Sequence, residues 1–297
     1  MLFRSKALDI FLNIFIALAA LLFLVPIILT FSDSFMTSSE ISANYGVMFN
    51  NMSGNEKTFV SENANLKFIP DEVTVSQYRS VLITNSDYLL KFWNSVILTV
   101  PITFFQIIVA LLASYGFSRY PSRIKGIIFF AYIILMIMPY QVTLVPNFLV
   151  AKRFGLLNTR SAIILPAIFS PFSIFLLTKA MRRIPVSYIE AAKLDGANEL
   201  QILMKIYVPL CKNALIAIGL LVFIDYWNMV EQPLILMSSD EARAMHPLSV
   251  FLAQINTEDV GLAFAVGVVY MIPTLLLFLR CENSLVEGIV SAGGIKG

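Results

Sequence analysis

Apolar residues along this chain fall in long runs, not in alternation. Six runs can be drawn, at roughly 10–31, 93–117, 126–147, 161–181, 213–237 and 260–280. Each is about the length, some 20 residues, that an α-helix needs to cross the hydrocarbon core of a bilayer. Helices are expected because a segment in lipid must satisfy its own backbone polar groups. The second, third and fourth runs contain Pro101, Pro139, Pro166 and Pro171. Membrane helices tolerate proline where neighbours satisfy the freed carbonyls. The pattern predicts an all-α polytopic membrane protein with six transmembrane helices, forming a single domain over 1–297. A long polar stretch, 32–92, separates the first two runs, and a shorter one, 182–210, separates the fourth and fifth. No repeat period or low-complexity tract is visible.

Composition narrows the class. The 297 residues are 58% hydrophobic and 13% charged, with mean hydropathy +0.79. Soluble domains run at roughly 45–50% apolar and about 25% charged, so a soluble globular protein and a disordered chain are both excluded. The net charge of +2 leaves no electrostatic footprint for nucleic acid. The run after MLFRSK is longer than a signal-peptide core and lacks a clean small-residue cleavage site, so it reads as an uncleaved first span. With the N-terminus inside, 13 basic residues fall on the cytoplasmic side and 8 outside, in line with the positive-inside tendency. The stretch 148–160, with Lys152, Arg153 and Arg160, runs against it. Both termini are therefore expected in the cytoplasm, with 32–92 as an outer loop. Cys211 and Cys281 have no metal or redox spacing, and the lone His246 has no ligand partners, so no metal site is expected. Asn51-Met-Ser53 fits a glycosylation triplet that arises often by chance.

The most informative stretch is 182–210. Pro185 stands just before a helical start, and Ser187 and Glu190 have the spacing of a capping box. That predicts a short helix from Ser187 to Leu194. Gly196 offers a turn where positive φ is cheap. Asn198 and Gln201 can open a second helix, carrying Leu200, Ile202, Leu203, Ile206 and Leu210, closed by Pro209. Two readings of this pair stand on physics alone: an amphipathic element lying on lipid, or a helix docking into a groove of a soluble partner. Ala191 and Ala192 would allow another surface to approach closely.

These residues resemble the signature of the membrane-spanning permease subunits of bacterial ATP-binding-cassette importers. That signature is EAA, three residues, Gly, nine residues, Ile, one residue, Leu-Pro. Glu190-Ala191-Ala192, Gly196, Ile206 and Pro209 fall at that spacing, with Val208 in place of the leucine. Asp195 and Ala197 extend it to the form typical of carbohydrate importers. Asn94-Ser95, the stretches Pro139–Pro146 and Gly155–Thr159, Trp227-Asn228 with Pro233-Leu234, and the ending Gly294-Ile-Lys-Gly297 resemble further family elements. Together they are similar to the second permease of the maltose-transporter type. The first outer loop matches least.

The resemblance implies an importer permease fold whose two cytoplasmic helices couple to an ATPase. Glu190 would be a polar anchor on the ATPase, Asp195 would belong to the same segment, Gly196 would set the elbow, and Ala191, Ala192 and Ala197 would permit close packing. It further implies a second permease subunit, a dimeric cytoplasmic ATPase and an extracytoplasmic sugar-binding protein, in a bacterial cell membrane. The chain carries no G-x-x-x-x-G-K-[ST] phosphate loop. The chain is thus expected to bind no cofactor and to have no catalytic residues, with ATP-Mg on the partner.

Polar groups inside spans mark pathways by default. The fifth run holds Asp225, Tyr226, Trp227, Asn228 and Glu231, aromatic and hydrogen-bonding chemistry suited to a neutral polyhydroxy ligand. With Asn94 they are the translocation-path candidates. Pairing between helices and an interfacial aromatic belt explain such residues too, and bundle hydrogen bonds account equally for Asn94, Gln106 and Gln141. Three other functions compete. A secondary transporter would show inverted repeats and more ionisable groups in its spans, whereas only Asp225 is expected mid-span. A membrane enzyme would need a clustered nucleophile or metal set. A permease for glycerol-phosphate or a polyol is the nearest alternative, but no basic residue falls in the body of a run to meet an anion.

Overall fold

A computed structural model describes residues 6–52, 66–120, 122–254 and 260–293. The described residues contain helices and no strand. In chain order these are α1 (Lys6–Asp33), α2 (Ser38–Met52), α3 (Ser76–Arg79), α4 (Ser86–Arg119), α5 (Arg123–Ile137), α6 (Tyr140–Arg153), α7 (Ser161–Ala167), α8 (Pro171–Met181), α9 (Val186–Leu194), α10 (Glu199–Ile202), α11 (Val208–Leu210), α12 (Lys212–Trp227), α13 (Glu231–Leu236), α14 (Asp240–Arg243), α15 (Leu248–Ala253) and α16 (Val260–Gly293). The glycosylation triplet, the stretch from Ser53 to Glu56 and the Gly294–Gly297 ending reach beyond the described residues.

Four helical segments are long and apolar enough to cross a membrane: Ile10–Asp33, Ser86–Arg119, Ser161–Met181 and Gly261–Gly288. Two bent pairs bring the number to as many as six, Arg123–Ile137 with Tyr140–Arg153 (106°) and Glu199–Leu210 with Lys212–Trp227 (77°). The six expected runs all appear, but three are not simple rods. The third breaks at Met138-Pro139, because the ring of Pro139 removes a donor and pushes the residue before it out of the helical region; Met138 is extended, at ψ 128°. The fourth is interrupted between Ala167 and Pro171, where Ser170 caps α8 by accepting from the Ser173 amide. The fifth ends at Trp227, ten residues before the expected 237, and Asn228 caps it by donating to the Ile224 carbonyl (2.7 Å). That stop leaves Asp225 in the last turn of α12 and not in the middle of a span.

Chain contacts divide the protein into two compact units, Met1–Leu90 with Gln254–Met271, and Lys91–Ala253 with Ile272–Gly297. In the first, α1 presents apolar side chains outward from Ile10 to Phe31, as a helix does in lipid. The described residues of the polar stretch after it are tied together by hydrogen bonds. The Ser32 hydroxyl donates to the Phe68 carbonyl (2.6 Å), Gln77 donates to Met36 O (2.5 Å), and Glu40 accepts from the Asp71 amide (2.7 Å). Met36, Ile41 and Tyr45 form a small core with Phe264.

The second unit holds the main core. Ile174, Leu177 and Met181 of α8, Leu98 and Ile102 of α4, and Ala214 and Ile218 of α12 are buried there. Gly155 (φ 66°) and Asn158 (φ 62°) both take the left-handed conformation, which asparagine tolerates. Asn158 uses it to tie two distant residues. Its amide donates to Leu236 O (2.8 Å) and its side-chain oxygen accepts from the Ser239 amide (3.0 Å).

Candidate functional site

The segment 182–210 forms α9, an elbow, and a second helical stretch made of α10, a π-helical turn at Leu203–Tyr207 and α11. Helix α9 starts one residue earlier than expected. Pro185, at φ −59° and ψ 138°, is its N-cap, and no side chain caps it. The expected Ser187–Glu190 capping box is therefore not made: the preset φ of proline starts the helix at Val186, which puts Ser187 inside the first turn. The second capping box is present. Asn198 accepts from the Gln201 amide, and Gln201 accepts from the Asn198 amide, both at 2.9 Å.

Gly196 lies at the elbow with φ 79°. The Ala197 amide donates to Ala192 O (2.9 Å) and the Gly196 amide to Lys193 O (3.1 Å), the paired bonds of a Schellman C-cap. Ile189, Ile202, Leu203 and Tyr207 are buried in the main core, while Ala192 and Ala197 pack partly against it. Small side chains at 192 and 197 thus serve the inner side of the elbow. Glu190, Ala191, Asp195 and Gly196 are exposed. So are large apolar side chains on the same element: Leu194 is 90% exposed and Leu200 66%.

A network not anticipated from the sequence locks this elbow. Lys193 of α9 pairs with Glu199 of α10 (2.7 Å), closing the angle across Gly196. The Tyr115 hydroxyl of α4 donates to the other Glu199 oxygen, and its ring meets that of Tyr207 edge-on at 5.1 Å. The Lys193 ammonium and the Tyr115 hydroxyl hold the Glu199 carboxyl down to about 2, so that carboxyl stays ionised over the physiological range. Past Tyr207, α11 and α12 meet at a 77° bend beside Pro209, which cannot donate into the preceding turn.

The other expected site residues separate. Trp227 is buried, stacked on Phe223 (5.2 Å) and edge-on to Phe92 (5.7 Å). It packs the core and is not among the residues lining the cavity described below. Asn94 is also buried. It donates to Ala244 O (2.8 Å) and His246 O (3.2 Å) and accepts from Arg160 Nη2 (2.8 Å). Beside it, the Ser95 hydroxyl accepts from the Leu248 amide (2.9 Å). The Asn94-Ser95 pair thus clamps the segment 244–248 to α4. His246 belongs to the same anchor, with Nε2 at 2.8 Å from Met237 O. Gln106 donates to the Ser173 hydroxyl (2.8 Å), a bundle bond between α4 and α8. Asp225, Asn228 and Glu231 are exposed; Gln141 of α6 donates to both Glu231 oxygens at 3.4 Å. Of the fifth-span set, Tyr226 lines the cavity described next.

That cavity, about 510 Å³, lies among α5, α6, α7, α8, α12 and α13. Both breaks in the third and fourth runs open onto it, through Met138 and Tyr140 on one side and Phe169, Ser170 and Pro171 on the other. Pro139 and Pro171, which mark these breaks, are the feature of the sequence from which it could be found.

Residues 106–281 match the family described as the inner membrane component of binding-protein-dependent transport systems. The chain belongs to this family. As such a component it is similar to the lactose transport system permease protein LacG of Rhizobium radiobacter, 32% identical over 71% of this chain and 76% of the relative. It is also similar to the arabinooligosaccharides transport system permease protein AraQ of Bacillus subtilis, 26% identical over 96% of this chain and 95% of that one. The crystal structure of a bacterial ABC transporter involved in import of the acidic polysaccharide alginate contains a chain of the same fold. Its TM-score is 0.75, at 25% identity, over 95% of this chain and 99% of that chain. The family assignment makes this an inner-membrane transport component and accounts for the apolar helices.

Proposed function

We propose that this chain is the transmembrane permease subunit of an ATP-driven importer for a sugar or oligosaccharide. In this reading it forms half of the translocation path with a second permease, and its segment 182–210 docks on a separate dimeric ATPase. The observation that carries the docking is the exposed elbow. A Schellman-capped glycine, braced by Lys193–Glu199, holds Leu194 and Leu200 out in the open where a partner's groove could cover them. ATP and Mg belong to that partner, and this chain supplies motion of its helices, not hydrolysis. Both termini and 182–210 face the cytoplasm. The stretch 32–92 and the segment 239–259 face an extracytoplasmic sugar-binding protein.

The relatives support saccharide as the substrate class, since their names include lactose and arabinooligosaccharides. Asp225, Tyr226, Asn228 and Glu231 remain the path candidates of α12 and its end. Among them Asn228 is exposed, with a side-chain nitrogen turned back to its own helix. The test is uptake by the assembled importer in proteoliposomes with its binding protein. Asn228→Ala is expected to slow saccharide uptake several-fold while the ATPase still co-purifies. Uptake by this chain alone, without ATP or ATPase, would instead establish a secondary transporter.

A further inference from the structure

A cavity lies between the broken spans. Non-helical backbone at membrane depth persists only where it is buried in protein or lines a cavity. Here two spans unwind, at 138–139 and 168–170, and both breaks face the same space. The volume, about 510 Å³, falls in the roughly 300–1,000 Å³ range of small-molecule sites.

The lining carries flat aromatic faces and uncharged hydrogen-bonding groups. Tyr132, Tyr140 and Tyr226 supply rings with hydroxyls, and Asn147 and Gln232 supply amides. No Asp, Glu, Lys or Arg is among the residues that line it. The charges nearest along the chain are Asp225 and Glu231, each adjacent to a lining residue, and both are acidic. An anionic ligand would find no cationic partner in this lining. A pyranose ring has complementary chemistry: C–H faces for the aromatics and hydroxyls for amides and phenols.

We infer that this cavity is a saccharide subsite within the present chain, selective for neutral over uronate sugar units, with Tyr140, Tyr226, Asn147 and Gln232 as its recognition residues. The inference rests on the sugar-importer reading and goes beyond it by placing a binding site and a charge class on this subunit.

The test uses the full importer in proteoliposomes, with lactose, glucose and arabinotriose as neutral probes and digalacturonate as the acidic one. Leu135 lines the cavity without belonging to the recognition set. In a Leu135→Cys importer, labelling by a small thiol reagent is expected to slow at least five-fold while a neutral probe is being transported. Gln232→Leu is expected to cut the maximal uptake rate at least five-fold with the complex assembled at wild-type level. Neutral uptake with no protection at position 135 would overturn the subsite and leave the importer reading intact. Uptake of digalacturonate alone would overturn the charge class. Uptake of none of the four would overturn the sugar reading itself.

Discussion

Substitution at Gly196 separates backbone conformation from side-chain bulk. Its φ of 79° lies in the left-handed region, and a Cβ built there meets no atom within 4 Å. Within this chain the cost of an added side chain is therefore conformational, about 1–2 kcal/mol for an L-residue held in that region. Such an energy changes a two-state ratio by a factor of roughly 5–30. If the elbow must be formed for the ATPase to dock, Gly196→Ala should weaken ATPase binding by about that factor. Asparagine visits the left-handed region more readily, so Gly196→Asn should lose less. A β-branched residue is a genuine outlier there, so Gly196→Val should lose more. The assay is titration of the purified ATPase onto the permease complex in nanodiscs, with saccharide-stimulated hydrolysis read in parallel. The expected order is Gly, Asn, Ala, Val. Wild-type binding by Gly196→Val would refute the requirement for this elbow. Asn binding worse than Ala would show that clearance against the partner governs, because Asn is the larger side chain and the easier backbone.

Three further outcomes are expected. Glu199→Gln removes an ion pair that is itself partly exposed, so the change in stability should stay within about 1 kcal/mol; coupling of hydrolysis to uptake should fall, and unimpaired coupling would show that the Tyr115–Glu199–Lys193 network is only packing. Asn94→Leu strands Arg160 and two carbonyls, at roughly 1–3 kcal/mol for each buried unsatisfied group; thermal inactivation in detergent should come earlier, and an unchanged profile would contradict the clamp on 244–248. At Gly288 a Cβ would stand 2.6 Å from the Asn213 carbonyl oxygen and 2.8 Å from the Ala217 Cβ, so Gly288→Leu should force α16 away from α12 and reduce assembled complex in the membrane; assembly at wild-type level would mean that the two helices separate at no cost.

Much of the architecture was legible along the chain. The six apolar runs became helices because lipid leaves a backbone no partner but itself. The elbow was readable because Gly196 and the Asn198–Gln201 pair act within a few residues, where sequence distance and spatial distance coincide. The first cap differs from the expected one for an equally local reason: Pro185 sets the start of α9 before Ser187 can cap it.

The tertiary structure decided which polar residues face a cavity and which are spent on packing. Trp227 and Asn228 are neighbours in sequence, yet one is buried in an aromatic cluster and the other is an exposed helix cap. Asn94 finds its partners at 160, 244 and 246, far outside any motif window. Glu199 joins Tyr115 across more than eighty positions. A run of hydropathy determines that a segment is helical and apolar, because those are sums over neighbours. It does not determine which side of that helix meets a proline break in another span, because that depends on how the helices rotate against one another as they pack.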